Sequence, residues 1–239
     1  MDTRSLILPS SYNERAYVFD TTLRDGIQSP GASELMTTKK AVQIAQALAD
    51  AQVDYLEIGF PGRLHSMRRV EAIAKEVTGA TLCVLSFMDE RSILNAHQSL
   101  WKANRSMVQL FIPTSEIHME EKTHMKPDQV LRFVEKGVSF AVKIFGKGKV
   151  AFGAEDASRS DKDFLEEVYE VAVEAGARII TVPDTVGYAV PEEFGKLISR
   201  LHGKFGDGVM ISVHCHNDLG LGVANTLAGL KNGARIFQG

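Results

Sequence analysis

Cysteine is scarce in this sequence, which has only Cys83 and Cys215 among its 239 residues. We therefore predict no disulfide bond and a reducing compartment. No run approaches the roughly 18 consecutive apolar residues of a membrane-spanning helix, and the first residues lack the apolar segment of a secretory signal. No Gly-x-Gly-x-x-Gly pattern follows a predicted strand, which counts against a dinucleotide-binding fold. These absences predict a cytoplasmic protein with no membrane partner.

A large excess of charge of either sign is also missing. The 27 basic and 30 acidic residues give a net charge of −3, so the sequence has no electrostatic footprint for nucleic acid. This charge balance does not exclude small polar or acidic substrates. The hydrophobic content of 44% and the length of 239 residues suit one globular domain, close to the roughly 250 residues of a (β/α)8 barrel.

Short apolar strands alternate with helical patterns along the chain, which predicts a parallel sheet and favours a closed barrel. The predicted strands cover residues 18–22, 55–60, 81–87, 107–112, 150–152, 179–182, 211–213 and 235–237. Five helices are predicted to cover 66–77, 90–102, 161–175, 191–202 and 221–230. Two more are predicted to begin at residues 37 and 127, and the segment 138–145 is ambiguous between helix and strand. We predict an α/β fold, namely a TIM (β/α)8 barrel that covers residues 17–239 and lacks its last helix. Residues 1–16 are predicted to form an arm before the barrel, and no regulatory domain is predicted in this chain.

Two stretches where strands end predict a metal site. Arg24 and Asp25 follow the first strand, and His214 and His216 lie on the seventh. Residues two apart on a strand point to the same face, so the histidines converge while Cys215 points away. One carboxylate and two imidazoles suit a divalent ion such as Zn, Mn or Mg. An ordinary ion pair between Arg24 and Asp25 is the alternative interpretation of the first stretch.

Further polar residues follow the same ends of the predicted strands. They are Gln28, Glu57, Glu155, Asp184 and Thr185. Barrel enzymes place their chemistry at the carboxyl ends of the strands, so this ring favours an active site there. Two alternatives stay open, an ion pair of Glu155 with Arg159 and a turn cap by Thr185.

Four stretches carry a resemblance to a known family: DTTLRDG, GAEDASRSD, VPDTVGYAVPEEF and SVHCHNDLGLGVAN. They resemble the catalytic barrel of the 2-isopropylmalate synthases. Those enzymes belong to a metal-dependent acyltransferase and lyase family with homocitrate synthase, citramalate synthase and hydroxymethylglutaryl-CoA lyase. The likeness runs from about Tyr17 to the last residue, and IHMEEK at 117–122 looks closer to the synthases than to the lyase.

The resemblance implies an enzyme that condenses acetyl-CoA with a 2-oxo acid, most of all 3-methyl-2-oxobutanoate, in leucine biosynthesis. It implies a homodimer and a divalent cofactor, Mg, Mn or Zn, held by Asp25, His214 and His216. It also implies that Arg24 faces the developing alkoxide. Glu155 is implied near acetyl-CoA, as the candidate base or its positioning group.

The resemblance further implies three substrate-binding residues. Thr185 and Gln28 contact the 2-oxo acid, and Gln109 on the fourth strand faces the same substrate. In this scheme a metal ion acts as a Lewis acid on the keto group, and water finally cleaves the thioester.

The sequence departs from that family at four positions. Ile27 and Gln238 stand where the family has glutamates, Gln109 where it has a histidine, and Gly153 where it has a serine. The family also continues with an asparagine ligand, helix eight, a linker region and a regulatory domain. Without helix eight we expect an exposed apolar strip on the first and eighth strands, which favours association. The alternatives are a citramalate or homocitrate synthase, a lyase, and an inactive truncated barrel.

Overall fold

Eight parallel strands close into a barrel, because the first strand pairs with both the second and the last. The structure is a computed structural model and describes residues 15–62 and 64–239. The strands are β1 (Tyr17–Asp20), β2 (Tyr55–Glu57), β3 (Thr81–Ser86), β4 (Ser106–Pro113), β5 (Val150–Glu155), β6 (Ile179–Asp184), β7 (Met210–Cys215) and β8 (Ala234–Gln238). The predicted (β/α)8 barrel is therefore confirmed.

Seven longer helices lie between consecutive strands, and two short ones decorate the loops. In chain order they are α1 (Ala32–Leu35), α2 (Thr38–Asp50), α3 (Leu64–Glu76), α4 (Glu90–Ser99), α5 (Glu116–His118), α6 (Pro127–Phe145), α7 (Lys162–Glu174), α8 (Pro191–Phe205) and α9 (Gly222–Lys231). The described residues end with β8 and Gly239. Within the described ranges, no helix is long and apolar enough to cross a membrane. The predicted arm at 1–16 lies outside the described residues except for its last two.

The segment 138–145, ambiguous in sequence, is the second half of α6. Pro127 occupies the first turn of this helix, where its missing N–H costs nothing. The buried positions Val130, Val134 and Val138 repeat every four residues and form one continuous apolar face. The four-residue period therefore identifies residues 138–145 as helical. The helix ends at Gly146, whose backbone lies in the left-handed region (φ 93°).

Side-chain caps begin several of the helices. The Thr37 hydroxyl accepts a hydrogen bond from the Lys40 N–H, and the Asp161 carboxylate accepts from the N–H groups of Asp163 and Phe164. Such caps satisfy backbone donors that have no partner inside the helix. Thr37 and Asp161, predicted as the first helical residues, are therefore the caps that precede α2 and α7.

The barrel interior changes character along its axis. Its apolar layer consists of Phe19, Cys83, Met107, Ala151, Ile179 and Ile236. A much larger apolar core lies between the strands and the surrounding helices. Because the interior is filled with apolar side chains below, the polar side chains of the strands concentrate at the carboxyl ends.

An apolar groove runs between α9 and β8. It has a volume of about 470 Å³ and includes Val223, Leu227 and Phe237. Val223 is 74% exposed and Leu227 43% exposed, whereas Phe237 is half-buried. The exposed apolar surface expected near the last strand therefore lies more on α9 than on the strands themselves.

Helix α6 packs so closely on the loop after β3 that glycine is required at position 137. A Cβ on Gly137 would lie 2.6 Å from the Cβ of Met88 and 2.9 Å from its carbonyl oxygen. We expect Gly137→Ala to lower the free energy of unfolding by about 1–3 kcal/mol, although alanine favours helices. Urea unfolding followed by circular dichroism measures this change.

The matched control is Gly203→Ala in α8, an exposed position where an added Cβ meets nothing within 4 Å. This variant is expected to raise the free energy of unfolding by about 0.5–1 kcal/mol, from helix propensity alone. Equal effects of the two substitutions would contradict the packing argument.

Candidate metal centre and active-site cleft

A cleft of about 380 Å³ opens at the carboxyl ends of the strands. It brings together all eight residues for which the sequence predicted a role: Arg24, Asp25, Gln28, Gln109, Glu155, Thr185, His214 and His216. The cleft is also lined by Phe60, Leu85, Phe111, Lys122, Gly153, Thr181, Pro183 and Gln238. The sequence therefore predicted the location of the cleft.

Asp25, His214 and His216 form one cluster of potential metal ligands. The Nε2 atoms of the two histidines lie 3.2 Å apart, and Nε2 of His214 lies 3.6 Å from Oδ2 of Asp25. One ligand atom from each residue falls within 4.8 Å of the others. Imidazole nitrogens bound to one ion at about 2.1 Å lie roughly 3.0–3.4 Å apart. The spacing of the two imidazole nitrogens therefore fits a shared divalent ion, and the Asp25 carboxylate lies close enough to be a third ligand.

The alternation of β7 accounts for the position of both histidines. His214 is buried and turns into the barrel, and His216 follows just past the end of the strand. Cys215 lies on the opposite side, in the groove beside α9. Burial raises the pKa of the Cys215 thiol to about 12, so the thiolate form that binds metals is disfavoured.

The electrostatic surroundings keep Asp25 and His216 in metal-binding forms near neutral pH. The hydrogen-bonding His214 imidazole and the Arg24 guanidinium lower the pKa of Asp25 to about 2. Burial lowers the pKa of His216, and the neighbouring His214 adds to this effect. Asp25 is therefore an ionised carboxylate and His216 a neutral imidazole, which are the protonation states that coordinate cations.

Arg24 joins the candidate metal cluster to Glu57, a member of the predicted polar ring to which the sequence assigned no individual role. Its Nη1 donates to Oδ1 of Asp25 at 2.9 Å, and its Nε donates to Oε2 of Glu57. The Glu57 side chain is fully buried at the end of β2, and its Oε1 has no partner among the described residues. The predicted ion pair of Arg24 and Asp25 is thus present and is part of the candidate site. An acidic residue that closes a buried strand is the sequence signal for Glu57.

Glu155 lies at the end of β5 and pairs with a residue that sequence reasoning missed. Its Oε1 lies 2.6 Å from Nζ of Lys122 and 3.5 Å from Nδ1 of His118. Arg159 instead donates three hydrogen bonds to Asp156. The alternative ion pair of Glu155 with Arg159 was therefore wrong.

Thr185 has the turn-capping contact that the sequence left open. Its Oγ1 accepts a hydrogen bond from the Asp156 N–H at 2.9 Å, and the same side chain lines the cleft. The neighbouring Asp184 is fully buried and accepts from Ser158 and Asn225. Asp184 therefore organises the loop after β6, while Thr185 faces the cleft.

Neutral polar side chains form the floor of the cleft. Nε2 of Gln238 donates to Oε1 of Gln109 and to Oγ of Ser212, both at 3.0 Å, and Thr181 donates to the same Gln109 oxygen at 3.1 Å. All four are buried. Gln109 and Gln238, two of the four family departures, therefore contact each other directly.

The other two departures lie apart from this network. A Cβ on Gly153 would sit 3.6 Å from the Cβ of Thr181, so the cleft wall has room for a small side chain there. Ile27 is buried in the turn after Asp25 and does not line the cleft. Position 27, where the family has a glutamate, is thus occupied by a buried apolar side chain in this chain.

Comparison with known proteins finds a match to the HMGL-like family over residues 15–239. A 2-isopropylmalate synthase of Aquifex aeolicus is 48% identical over 228 residues, which are 94% of this chain and 43% of that protein. A 2-isopropylmalate synthase of Pyrococcus abyssi is 46% identical over 223 residues, which are 92% of this chain and 45% of that protein. The chain thus spans less than half the length of these curated relatives.

Solved structures share the barrel. An HMG-CoA lyase from Bacillus subtilis gives a TM-score of 0.77 at 20% identity, covering 95% of this chain and 77% of that chain. An HMG-CoA lyase from Acinetobacter baumannii, solved with coenzyme A and 3-methylmalate, gives a TM-score of 0.74 at 21% identity, covering 93% and 73%. At these identities the likeness supports the fold alone.

Proposed function

We propose that this chain, which belongs to the HMGL-like family, is the catalytic barrel of an acyltransferase that condenses acetyl-CoA with a 2-oxo acid. One observation carries the proposal. Asp25, His214, His216 and Arg24 converge at one side of a single cleft that also contains Glu155. The side with the potential metal ligands suits an electrophilic 2-oxo acid, and the Glu155 side suits the acidic methyl group of acetyl-CoA.

The metal-site end is proposed to bind the 2-oxo acid. A divalent ion, Mg, Mn or Zn, held by the three ligands supplies Lewis-acid polarisation of a keto group. Arg24 is fixed by Glu57 and Asp25, so its guanidinium is a preorganised positive charge beside the developing alkoxide. Thr185 and Gln28 bind the acid's carboxylate with their hydroxyl and amide donors.

The other end is proposed to activate acetyl-CoA. Glu155 takes a proton from the acetyl methyl group, and the resulting enolate carbon attacks the keto carbon. Lys122 donates a hydrogen bond to this carboxylate and orients it, and Nδ1 of His118 lies 3.5 Å from the same oxygen. Water then cleaves the thioester and releases coenzyme A.

The floor of the cleft favours a 2-oxo acid with an uncharged side chain. Gln109, Thr181 and Gln238 are neutral, and among the described lining residues the cations Arg24 and Lys122 are already paired with carboxylates. A second carboxylate of the substrate would be desolvated there without a partner. Together with the similarity to 2-isopropylmalate synthases, this supports 3-methyl-2-oxobutanoate as the substrate. Assembly as a homodimer and a cytoplasmic location stay predictions.

The test is release of free thiol from acetyl-CoA by purified, metal-loaded protein against 3-methyl-2-oxobutanoate, pyruvate and 2-oxoglutarate. We expect the highest kcat/KM with the branched acid and a value at least about 100-fold lower with 2-oxoglutarate, because a buried, unpaired carboxylate costs several kcal/mol. Mass spectrometry identifies the condensed product and separates synthesis from lyase cleavage. Folded, metal-loaded protein that releases no thiol with any acid would contradict the proposal.

A further inference from the structure

A rare backbone feature places Lys122 in the cleft. A π-helical turn, Met119–Thr123, follows α5 within the IHMEEK stretch, and it ends at His124 in the left-handed region (φ 54°). π-turns and non-glycine residues with positive φ concentrate at functional sites. This turn brings Lys122 beside Glu155, where the reaction proposed above gives it no role beyond orientation.

The two cations of the cleft occupy different ends. Arg24 is bound to Asp25 and Glu57 at the metal cluster, and Lys122 is bound to Glu155, with 2.6 Å between Nζ and Oε1. Among the described residues that line the cleft, no lysine or arginine other than Arg24 and Lys122 is present. Arg24 follows β1 and Lys122 follows β4, three strands apart in the ring, so each cation lies beside a carboxylate in a different part of the cleft.

The proposed condensation develops negative charge on two oxygens in succession. When the base removes a methyl proton, the C–H electron pair forms the carbon–carbon double bond of the enolate, and the carbonyl pair moves onto the thioester oxygen. When the enolate carbon then bonds to the keto carbon, the thioester carbonyl reforms and charge moves to the keto oxygen. Arg24, beside the residues that would hold a metal ion, serves the second oxygen, so the first requires a separate donor.

We propose that Lys122 is a catalytic residue that donates a hydrogen bond from its ammonium group to the thioester oxygen of acetyl-CoA as Glu155 removes the methyl proton. This inference rests on the proposed function. The Lys122 side chain is 54% exposed and has a flexible four-carbon stem, so it can move from Glu155 to an entering thioester. Its position beside the base puts the charge where the enolate forms.

Neighbouring groups are worse placed for this role. Nδ1 of His118 lies between Glu155 (3.5 Å) and Asp156 (3.7 Å), and the residue does not line the cleft. Arg159 is held by Asp156. His118 therefore lies near the Glu155 carboxylate without a hydrogen bond from its Nδ1, and Lys122 is the group that reaches substrate.

The test compares Lys122→Met and Lys122→Arg with Lys126→Met, an exposed lysine of the same segment outside the cleft. Loss of one charge-stabilising donor is expected to lower kcat for thiol release by about 10²–10³-fold in Lys122→Met. Lys122→Arg should recover at least about a tenth of the wild-type rate, and Lys126→Met should match wild type. Metal affinity and KM for the 2-oxo acid should stay within about twofold.

A primary isotope effect with trideuterated acetyl-CoA distinguishes catalysis from structural support. It should rise in Lys122→Met, because proton removal becomes slower than the later steps. A kcat within about threefold of wild type, or a slow variant with an unchanged isotope effect, would overturn the assignment to Lys122 while leaving the proposed function intact. An inactive wild type would overturn both.

Discussion

Replacement of His214 by alanine is expected to lower the rate of thiol release from acetyl-CoA by about a thousandfold or more. His214 and His216 present their Nε2 atoms 3.2 Å apart beside Asp25, so the substitution leaves two of three ligands. Lewis-acid activation contributes several kcal/mol, and each 1.4 kcal/mol corresponds to about a tenfold change in rate. Equilibrium dialysis with metal analysis, together with the thiol assay, measures both losses.

The residue between the two histidines provides the matched control. Cys215 faces α9 instead of the cleft, so Cys215→Ala should retain metal binding and turnover. Circular dichroism must show that both variants are folded. If His214→Ala retained the wild-type metal affinity, the assignment of the three ligands would be wrong.

Loss of Arg24 is expected to destabilise the fold as well as the reaction. The Glu57 side chain is fully buried and its charge is compensated by Arg24, which is itself 11% exposed. Breaking a buried ion pair by removing one partner costs about 3–5 kcal/mol, because a charge stays buried without compensation. Arg24→Met should therefore lower the free energy of unfolding by about that amount in urea titrations.

Two further variants isolate this cause. The double variant Arg24→Met/Glu57→Gln removes the buried charge and should recover part of the lost stability, although not the activity. Arg132→Met breaks an exposed pair with Asp128 and should change the free energy of unfolding by less than about 0.5 kcal/mol. Equal destabilisation by Arg24→Met and Arg132→Met would show that burial of Glu57 carries no such penalty.

The barrel was predictable because its information is local. Every predicted strand overlaps a strand of the structure, since buried parallel strands are short apolar runs that stop at polar residues, glycine or proline. Residues 138–145 were ambiguous because a solid apolar run fits a buried strand as well as a helix. Continuity with the four-residue period that starts at Val130 decides for the helix.

The site was predictable only in part. Asp25, His214 and His216 are chemically distinctive and stand at strand ends, so the sequence identified them as one cluster. Lys122 was missed and Glu57 received no individual role, because their importance depends on contacts with distant residues, Glu155 and Arg24. Such contacts leave no spacing pattern in the sequence.

The incorrect pairing of Arg159 has a backbone cause. Asp156, not Glu155, carries the carboxylate that Arg159 binds, and Asp156 adopts a left-handed conformation (φ 67°). This conformation breaks the strand alternation after β5, so Glu155 stays on the cleft side while Asp156 turns toward the following helical turn. A left-handed backbone conformation is uncommon for aspartate, and the sequence alone does not predict it.

The pairing of β1 with β8 makes barrel closure the most non-local event in folding. Bringing together segments from opposite ends of the chain carries a large loop-closure entropy, which makes such contacts late and slow in folding. The same event joins Asp25, after β1, to the histidines of β7, and it places Gln238 of β8 in the cleft floor. A partly folded intermediate with an open sheet therefore has no assembled site, and catalytic competence arises together with ring closure.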